Sequence, residues 1–230
     1  MTNRGGTLLI PLDGQLNEST FTHFAGAAPL GHCLRSMLEG SHTFDAVLVA
    51  AAEAHTVDAR SVIAAEGLKN VRLVTAEGSG TRADCLRAGM QASSSNSSFT
   101  LVHDVSRPLA SWTVRDRICD SLAAGSEFVI PTLVMVDSVK SVDQRGTVVR
   151  TVDRTRLRSS QFPRGIDSRT LTNALSEHDD TTEFDELAYA LDKGLPITTV
   201  DGDPDGFEMR GPRDRAFAEA IVSCRLAGRR

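Results

Sequence analysis

The sequence predicts an α/β protein built on a doubly wound, mostly parallel sheet. Three observations predict it. Apolar runs of strand length alternate with segments of helical periodicity along most of the 230 residues, and the connections between them are short. Residues 46–50, Ala-Val-Leu-Val-Ala, are apolar throughout, as in a strand covered on both faces. Taken in order, Thr7-Leu8-Leu9-Ile10-Pro11 reads as the first strand, and a polar loop through Asp13-Gly14-Gln15 runs to about Ala28. Pro29 to Glu39 places Leu30, Cys33, Leu34, Met37 and Leu38 at helical spacing. Strand 46–50 follows, then a helix over about 57–66 stopped by Gly67. A short strand at 71–74, a helix at 83–92 and a strand at 99–102 come next, the last after the Ser-rich connection 93–98. A helix at 111–124, a strand at 128–130, a helix at 183–193, a strand at 197–200 and a helix at 213–226 complete the alternation.

One stretch breaks the rhythm. Between Leu133 and Leu157 two strand-like runs, 133–136 and 147–151, flank the turn Asp143-Gln144-Arg145-Gly146. This predicts a β-hairpin arm projecting from the sheet. Arms of this kind commonly grip a second subunit, so a homodimer formed through residues 133–157 is expected. No internal repeat is visible, and residues 1–230 read as one domain carrying that arm.

Aromatic residues make up only 5% of the chain, so the core must be aliphatic and alanine-based. A net charge of −5 argues against a general nucleic-acid binder. No apolar run approaches the ~20 residues that span a bilayer, and the start of the chain lacks a signal-peptide profile. No membrane partner and a cytoplasmic location are therefore expected. Cys33, Cys85, Cys119 and Cys224 are scattered, without a Cys-x-x-Cys pair, and read as free thiols in a reducing compartment and not as a zinc site. Nearly all basic residues are arginine; the lysines are Lys69, Lys140 and Lys193.

The most informative stretch is Leu101-Val102-His103-Asp104-Val105-Ser106-Arg107-Pro108. It starts as a strand and delivers an acid, an arginine and a proline where the strand must stop. In open α/β sheets ligands bind beyond the carboxyl ends of the strands. An aspartate there suits a divalent cation, and an arginine three residues on suits an anion. Between the preceding strand and helix, Gly78-Ser79-Gly80-Thr81-Arg82 offers a turn of backbone N–H groups suited to a phosphate or a base.

These spellings resemble the 2-C-methyl-D-erythritol 4-phosphate cytidylyltransferases. The octapeptide is similar to their His-Asp-x-x-Arg-Pro, and Gly78, Arg82 and Asp84 match their Gly-Gly-x-x-Arg turn, with Cys85-Leu86 in place of Ser-Val. Asp137-Ser138-Val139-Lys140 resembles Asp-Thr-x-Lys, and Thr151 to Leu157 matches Thr-x-x-Arg-x-x-Leu through Arg154. Gln161-Phe162-Pro163-Arg164-Gly165 stands where the family has Gln-Thr-Pro-Gln-Gly. Phe184-Asp185-Glu186 resembles Thr-Asp-Asp, and Glu208 falls on a phosphate-contacting lysine. The resemblance implies a Rossmann-like fold of the nucleotide-diphospho-sugar transferase type with a projecting arm. It also implies transfer of CMP from CTP to a polyol phosphate, with Mg²⁺ as cofactor. By resemblance Asp104 binds the metal, and Arg107 and Arg154 are catalytic, positioning the acceptor. Pro11, Leu12, Asp13, Gly14, Gly78, Arg82, Asp84 and Cys85 would bind the nucleotide; Arg107, Ser138, Lys140, Arg154, Asp185 and Glu208 would bind the acceptor, with Arg154 supplied from a neighbouring subunit.

The chain departs most from the family after the first strand. Members carry Pro-Ala-Ala-Gly-x-Gly-x-Arg and then Pro-Lys, whose glycines wrap the CTP phosphates and whose cations stabilise charge in the transition state. Here Ile10-Pro11-Leu12-Asp13-Gly14-Gln15-Leu16-Asn17-Glu18 keeps the proline and one glycine, adds Asp13 and Glu18, and offers no basic residue before Arg35. Losing one charge-stabilising donor can cost ~10²–10³ in rate. Three readings therefore stand open: the cytidylyltransferase, a catalytically inert homologue that binds or regulates, and a cytidylyltransferase for another acceptor. Arg4, Arg35 and Arg210 are candidate replacement cations.

Overall fold

A computed structural model describes residues 5–16, 20–40, 42–94 and 97–227. The chain runs β1 (Gly6–Leu12), α1 (Pro29–Leu38), β2 (Ala46–Ala51), α2 (Thr56–Ala65), β3 (Val71–Thr75), α3 (Arg82–Ala92) and β4 (Phe99–Val102). It continues through α4 (Trp112–Ala123), β5 (Phe128–Val134), β6 (Val139–Val142), β7 (Val148–Val152), β8 (Arg158–Ser160) and β9 (Arg164–Asp167). The last elements are α5 (Ser168–Glu177), α6 (Glu186–Asp192), β10 (Ile197–Asp201) and α7 (Pro212–Ala227).

The main sheet has the order β10-β5-β9-β4-β1-β2-β3, with β8 added against β5. Pairs β4–β1, β1–β2, β2–β3 and β5–β10 are parallel; β9 runs antiparallel between β4 and β5. The expected doubly wound, mainly parallel sheet is therefore present. Residue alternation along β1 explains the two layers. Leu8, Ile10 and Leu12 pack with α1, α2 and α4, whereas Leu9 packs with α3 and α5 on the other face. All four are fully buried, worth roughly 1.5–3 kcal/mol each against exposure.

Several helix starts are fixed by side chains that the sequence supplies at the cap. Thr81 and Asp84 form a reciprocal capping box at α3, while Ser111, Asp167 and Asp185 accept amide hydrogen bonds at α4, α5 and α6.

Three expectations need correction. The run 133–136 is not an arm strand: Leu133 and Val134 end β5 inside the main sheet, paired with β8, and the hairpin is β6 with β7. The expected strand 128–130 is therefore longer, β5 running through Pro131 to Val134, because pairing with β8 extends it. The helix expected over 183–193 starts only at Glu186, because Asp185 is its cap. The sequence reading also passed over β9 and α5. The α5 signal was present in Asp167 followed by Leu171, Ala174 and Leu175 at helical spacing. For β9 there was none: its four residues form a strand because Gly165 lets it pass under α4, where a Cβ would meet Ile118 Cγ2 at 2.4 Å.

Candidate active site

The sheet changes direction of winding at β1: β2 and β3 extend it one way, and β4 returns to the other side. The crevice beyond the carboxyl ends of β1 and β4 is thus the topological switch point, where ligands bind in such sheets. A cavity of about 450 Å³ opens there, within the size range of small-ligand sites. Pro11 lines it from β1, Asp13, Gln15 and Leu16 from the turn after β1, Arg82 from α3, and Asp104, Val105 and Ser106 from the turn after β4; Phe162, Glu183, Phe184, Asp185 and Glu208 close it.

Asp104 lies just past β4. Its Oδ1 accepts the Ser106 amide at 2.8 Å. Burial alone would raise the carboxyl, but the charge of Arg82 and the bonds from Ser106 outweigh it and hold it below the usual carboxylate range. It is therefore an ionised acid at the base of the cavity. Asp13 lines the same cavity, with its Oδ1 accepting the Gln15 amide at 3.0 Å. Among the described residues no group of three or more His, Cys, Asp or Glu could hold a metal ion. The donor set here fits Mg²⁺ instead, which takes one or two carboxylates and leaves its other positions to water and substrate phosphates.

His103 is fully buried beside Asp104, and its ring lies against the Arg107 backbone. Burial depresses its pKa to about 4, so it is neutral near pH 7.

Arg82 reaches across to Glu186, placing Nε and Nη2 at 3.0 and 2.7 Å from Oε1. Arg164 Nη1 meets Glu186 Oε2 at 2.8 Å and both oxygens of Asp185 at 3.1 Å. Burial works against the Asp185 charge, yet Arg164 and the α6 amides hold that carboxyl below its ordinary value. Arg107 donates to the Gly206 carbonyl at 2.9 Å and lies 3.5 Å from Glu208. Phe162 sits among all three guanidinium groups, at 4.3 Å from Arg164, 5.5 Å from Arg82 and 5.9 Å from Arg107. Gln161 tethers the 203–206 turn by donating to Asp203 O and accepting from Asp203 N, which gives that glutamine its structural work.

The cavity thus gathers Pro11, Asp13, Arg82, Asp104, Asp185 and Glu208 from the expected set. The others lie elsewhere. Leu12 is buried in the core, where its carbonyl accepts from Ala52 N and the Cys85 thiol. Cys85 itself is buried, its thiol pushed up to about 12 by desolvation. Asp84 is occupied by the α3 capping box and by Ser79. Gly14 donates its N–H to Gly80 O at 2.8 Å, so this amide is engaged within the protein. Gly78 holds a left-handed turn, with φ of 83°. Arg107 stands just behind the cavity wall, bound to Glu208.

On the hairpin, Arg154 donates to Val136 O and Lys140 to Thr151 Oγ1, and with Ser138 they line no part of the cavity in this chain. The replacement cations do not enter either: Arg35 pairs with Glu66 and Arg210 with Glu208. Arg4 and Glu18 lie outside the described residues, as do Asn17, Ser95 and Asn96. Glu186 and Arg164 were missed as site residues. The signal for Glu186 was its place beside Asp185; nothing local marks Arg164, whose partners come from α6.

Comparison with known proteins gives the family. The family model for 2-C-methyl-D-erythritol 4-phosphate cytidylyltransferase matches residues 14–224. The chain belongs to this family. It is 38% identical over 157 residues to a protein of that name from Nocardia farcinica, covering 68% of this chain and 66% of that one. With the Rhodococcus jostii protein of the same name it shares 29% identity over 220 residues, 93% of each. Among solved structures, the 4-diphosphocytidyl-2C-methyl-D-erythritol synthase of Anaerococcus prevotii superposes with a TM-score of 0.81 at 19% identity, covering 96% of this chain and 97% of that one. The Thermus thermophilus cytidylyltransferase gives 0.72 at 23% identity, with 95% and 99% covered. At these identities the structures speak to the shared fold. Among the described residues, no helix is long and apolar enough to cross a membrane.

Proposed function

We propose that this protein transfers CMP from CTP to 2-C-methyl-D-erythritol 4-phosphate, releasing pyrophosphate, as a step in isoprenoid precursor synthesis. The observation that carries the reading is the ionised Asp104 at the base of a ligand-sized cavity, on the switch point of a chain whose family match spans 14–224. That match and the formed cavity favour an enzyme over an inert homologue.

The chemistry is a displacement at phosphorus. An oxygen of the acceptor's phosphate forms a bond to the α-phosphorus of CTP, the bond from that phosphorus to the β-phosphate oxygen breaks, and pyrophosphate leaves with the electron pair. Such reactions depend on positioning and charge stabilisation, with little covalent work for the protein. Asp104, with Asp13 on the same wall, would hold Mg²⁺, which when bound neutralises phosphate charge. Pro11 and the 13–16 turn would shape one side of the nucleotide site, and Arg107, aimed by the Gly206 carbonyl, would stand at the acceptor end beside Glu208.

The arm residues complete the site from a second copy. Arg154, Ser138 and Lys140 lie outside the cavity of their own chain, while Val136, Val142, Val148 and Val149 leave an apolar surface on and beside the hairpin. A homodimer gripped by the arms would cover those valines and carry Arg154 to the neighbour's acceptor end, where its planar fork meets phosphate bidentately. A cytoplasmic location is part of the same reading. The test is to incubate the purified protein with CTP, Mg²⁺ and the acceptor and to follow pyrophosphate. Release that requires all three supports the function; no release, with no CTP binding by calorimetry, overturns it.

A further inference from the structure

The triphosphate of CTP calls for cations, and the stretch between β1 and α1 holds no lysine or arginine. Arg35 and Arg210 are engaged elsewhere, by Glu66 and Glu208. Three buried or half-buried guanidinium groups remain near the cavity. Arg107 is turned to Gly206 O and Glu208, and Arg164 stacks under Phe162 against α6. Among the described residues lining the cavity, Arg82 is the one basic residue.

Arg82 is also held more firmly than a lone surface arginine. Both of its bonds to Glu186 end on the same oxygen, Oε1, which fixes the plane of the guanidinium while leaving Nη1 outside that contact. Glu186 cannot swing away, because Arg164 occupies its other oxygen and its side chain is only 1% exposed. Beyond Glu186, the acids whose charge acts on Arg82 are Asp104 and Asp13, which line the same cavity. A fixed donor aimed at developing charge needs no reorganisation at the moment of reaction.

We propose that Arg82, locked by Glu186 with Arg164 behind it, is the phosphate-facing cation of this site, taking over from the basic residues absent after β1, and that Glu186 is its positioning residue. The inference rests on the reading of the cavity as a CTP site. It departs from the resemblance, which sets the Gly78–Arg82 turn at the cytosine end.

Calorimetry with CTP and with cytidine, both in Mg²⁺ buffer, separates the two placements. The unaltered protein is expected to bind CTP more tightly than cytidine. Arg82→Gln should lose about ten- to hundredfold in CTP affinity, the range for a hydrogen bond to a charged group, while cytidine affinity holds. Glu186→Gln should show a smaller loss of the same kind, because a neutral amide grips the guanidinium less tightly. Since Arg82→Gln leaves the buried Glu186 with Arg164 as its one charged partner, the pair R82Q/E186Q removes both charges and serves as the folding control; it should lose CTP preference no further than R82Q. Equal weakening of CTP and cytidine, or an R82Q protein that keeps its preference for CTP, overturns this inference and leaves the proposed function standing. An unaltered protein that binds CTP no better than cytidine overturns both.

Discussion

Asp104 and the residues around it are held by partners from several segments of the chain, whereas on the hairpin Arg154 donates to Val136 O and Lys140 to Thr151 Oγ1, both on the arm or its flanks. Arg82 comes from α3, Glu186 from α6, Arg164 from β9 and Arg107 from the turn after β4, and the 206–210 segment is tied to that turn by Met209 N to Ser106 O at 2.7 Å. Buried polar groups must be paired, so each member fixes the next. The arm side chains are solvated and pay no such penalty. The contrast separates a pre-organised cluster built across one chain from an exposed arm, which the proposed dimer would set against a second copy.

The largest expected effect tests that division directly. Asp104→Ala and Arg154→Ala should each lower CMP transfer by roughly 10³ or more, as losses of charge-positioning groups do in phosphoryl transfer. If the arm acts in the neighbouring subunit, mixing the two inactive proteins should restore about a quarter of the unaltered rate, through mixed dimers with one intact site. A mixture as inactive as its components would place Arg154 in its own chain's site, and an active Arg154→Ala protein would place it outside the reaction.

The next effect concerns stability. Glu186→Ala takes the carboxylate from the half-buried Arg82 and leaves the buried Arg164 with Asp185 alone, and should cost about 3 kcal/mol in urea unfolding, whereas Arg154→Ala on the exposed arm should stay within about 0.5 kcal/mol. Comparable losses in the two variants would erase the distinction between the regions.

The pH dependence follows from His103. Its folded pKa of about 4 lies below the ordinary 6.5, so the unfolded chain takes up a proton first as the pH falls. Its contribution to stability is complete above about pH 6.5 and is lost progressively down to about pH 4. Between pH 7 and pH 5 the loss is about 2 kcal/mol, and His103→Gln should flatten that part of the profile. Asp104 and Asp185, both held below the usual range, act lower down: their stabilisation is present above about pH 4 and fades as the pH drops through their depressed values. The smallest effect on the isolated chain belongs to the arm valines. Val148→Thr with Val149→Thr should leave the secondary structure unchanged while shifting sedimentation from dimer to monomer; an unchanged dimer would move the interface off the hairpin.

Much of this was legible in the residues. The strands of the parallel half, the early helices and the acid after β4 follow from apolar runs, caps and breakers that act over a few residues. Asp104 was readable because a strand end is a local feature with a fixed place in such sheets. Glu186 and Arg164 were not, because their meaning lies in each other and in Arg82, separated by 22 and 104 residues along the chain. Asp84 and Cys85 show the converse: they follow a turn that resembles a nucleotide site, but in this chain Asp84 caps α3 and the buried Cys85 thiol donates to Leu12 O.

Local patterning was thus sufficient for the α/β alternation, the aliphatic core and the family. Hydrophobic periodicity and capping are short-range forces written into neighbouring residues. Long-range pairing settled the rest: β9 between β4 and β5, the end of β5 inside the main sheet, and the choice of Arg82 as the cation facing the cavity. Strand partners and buried ion pairs depend on which distant groups arrive together, and that is determined only when the two layers close on the sheet.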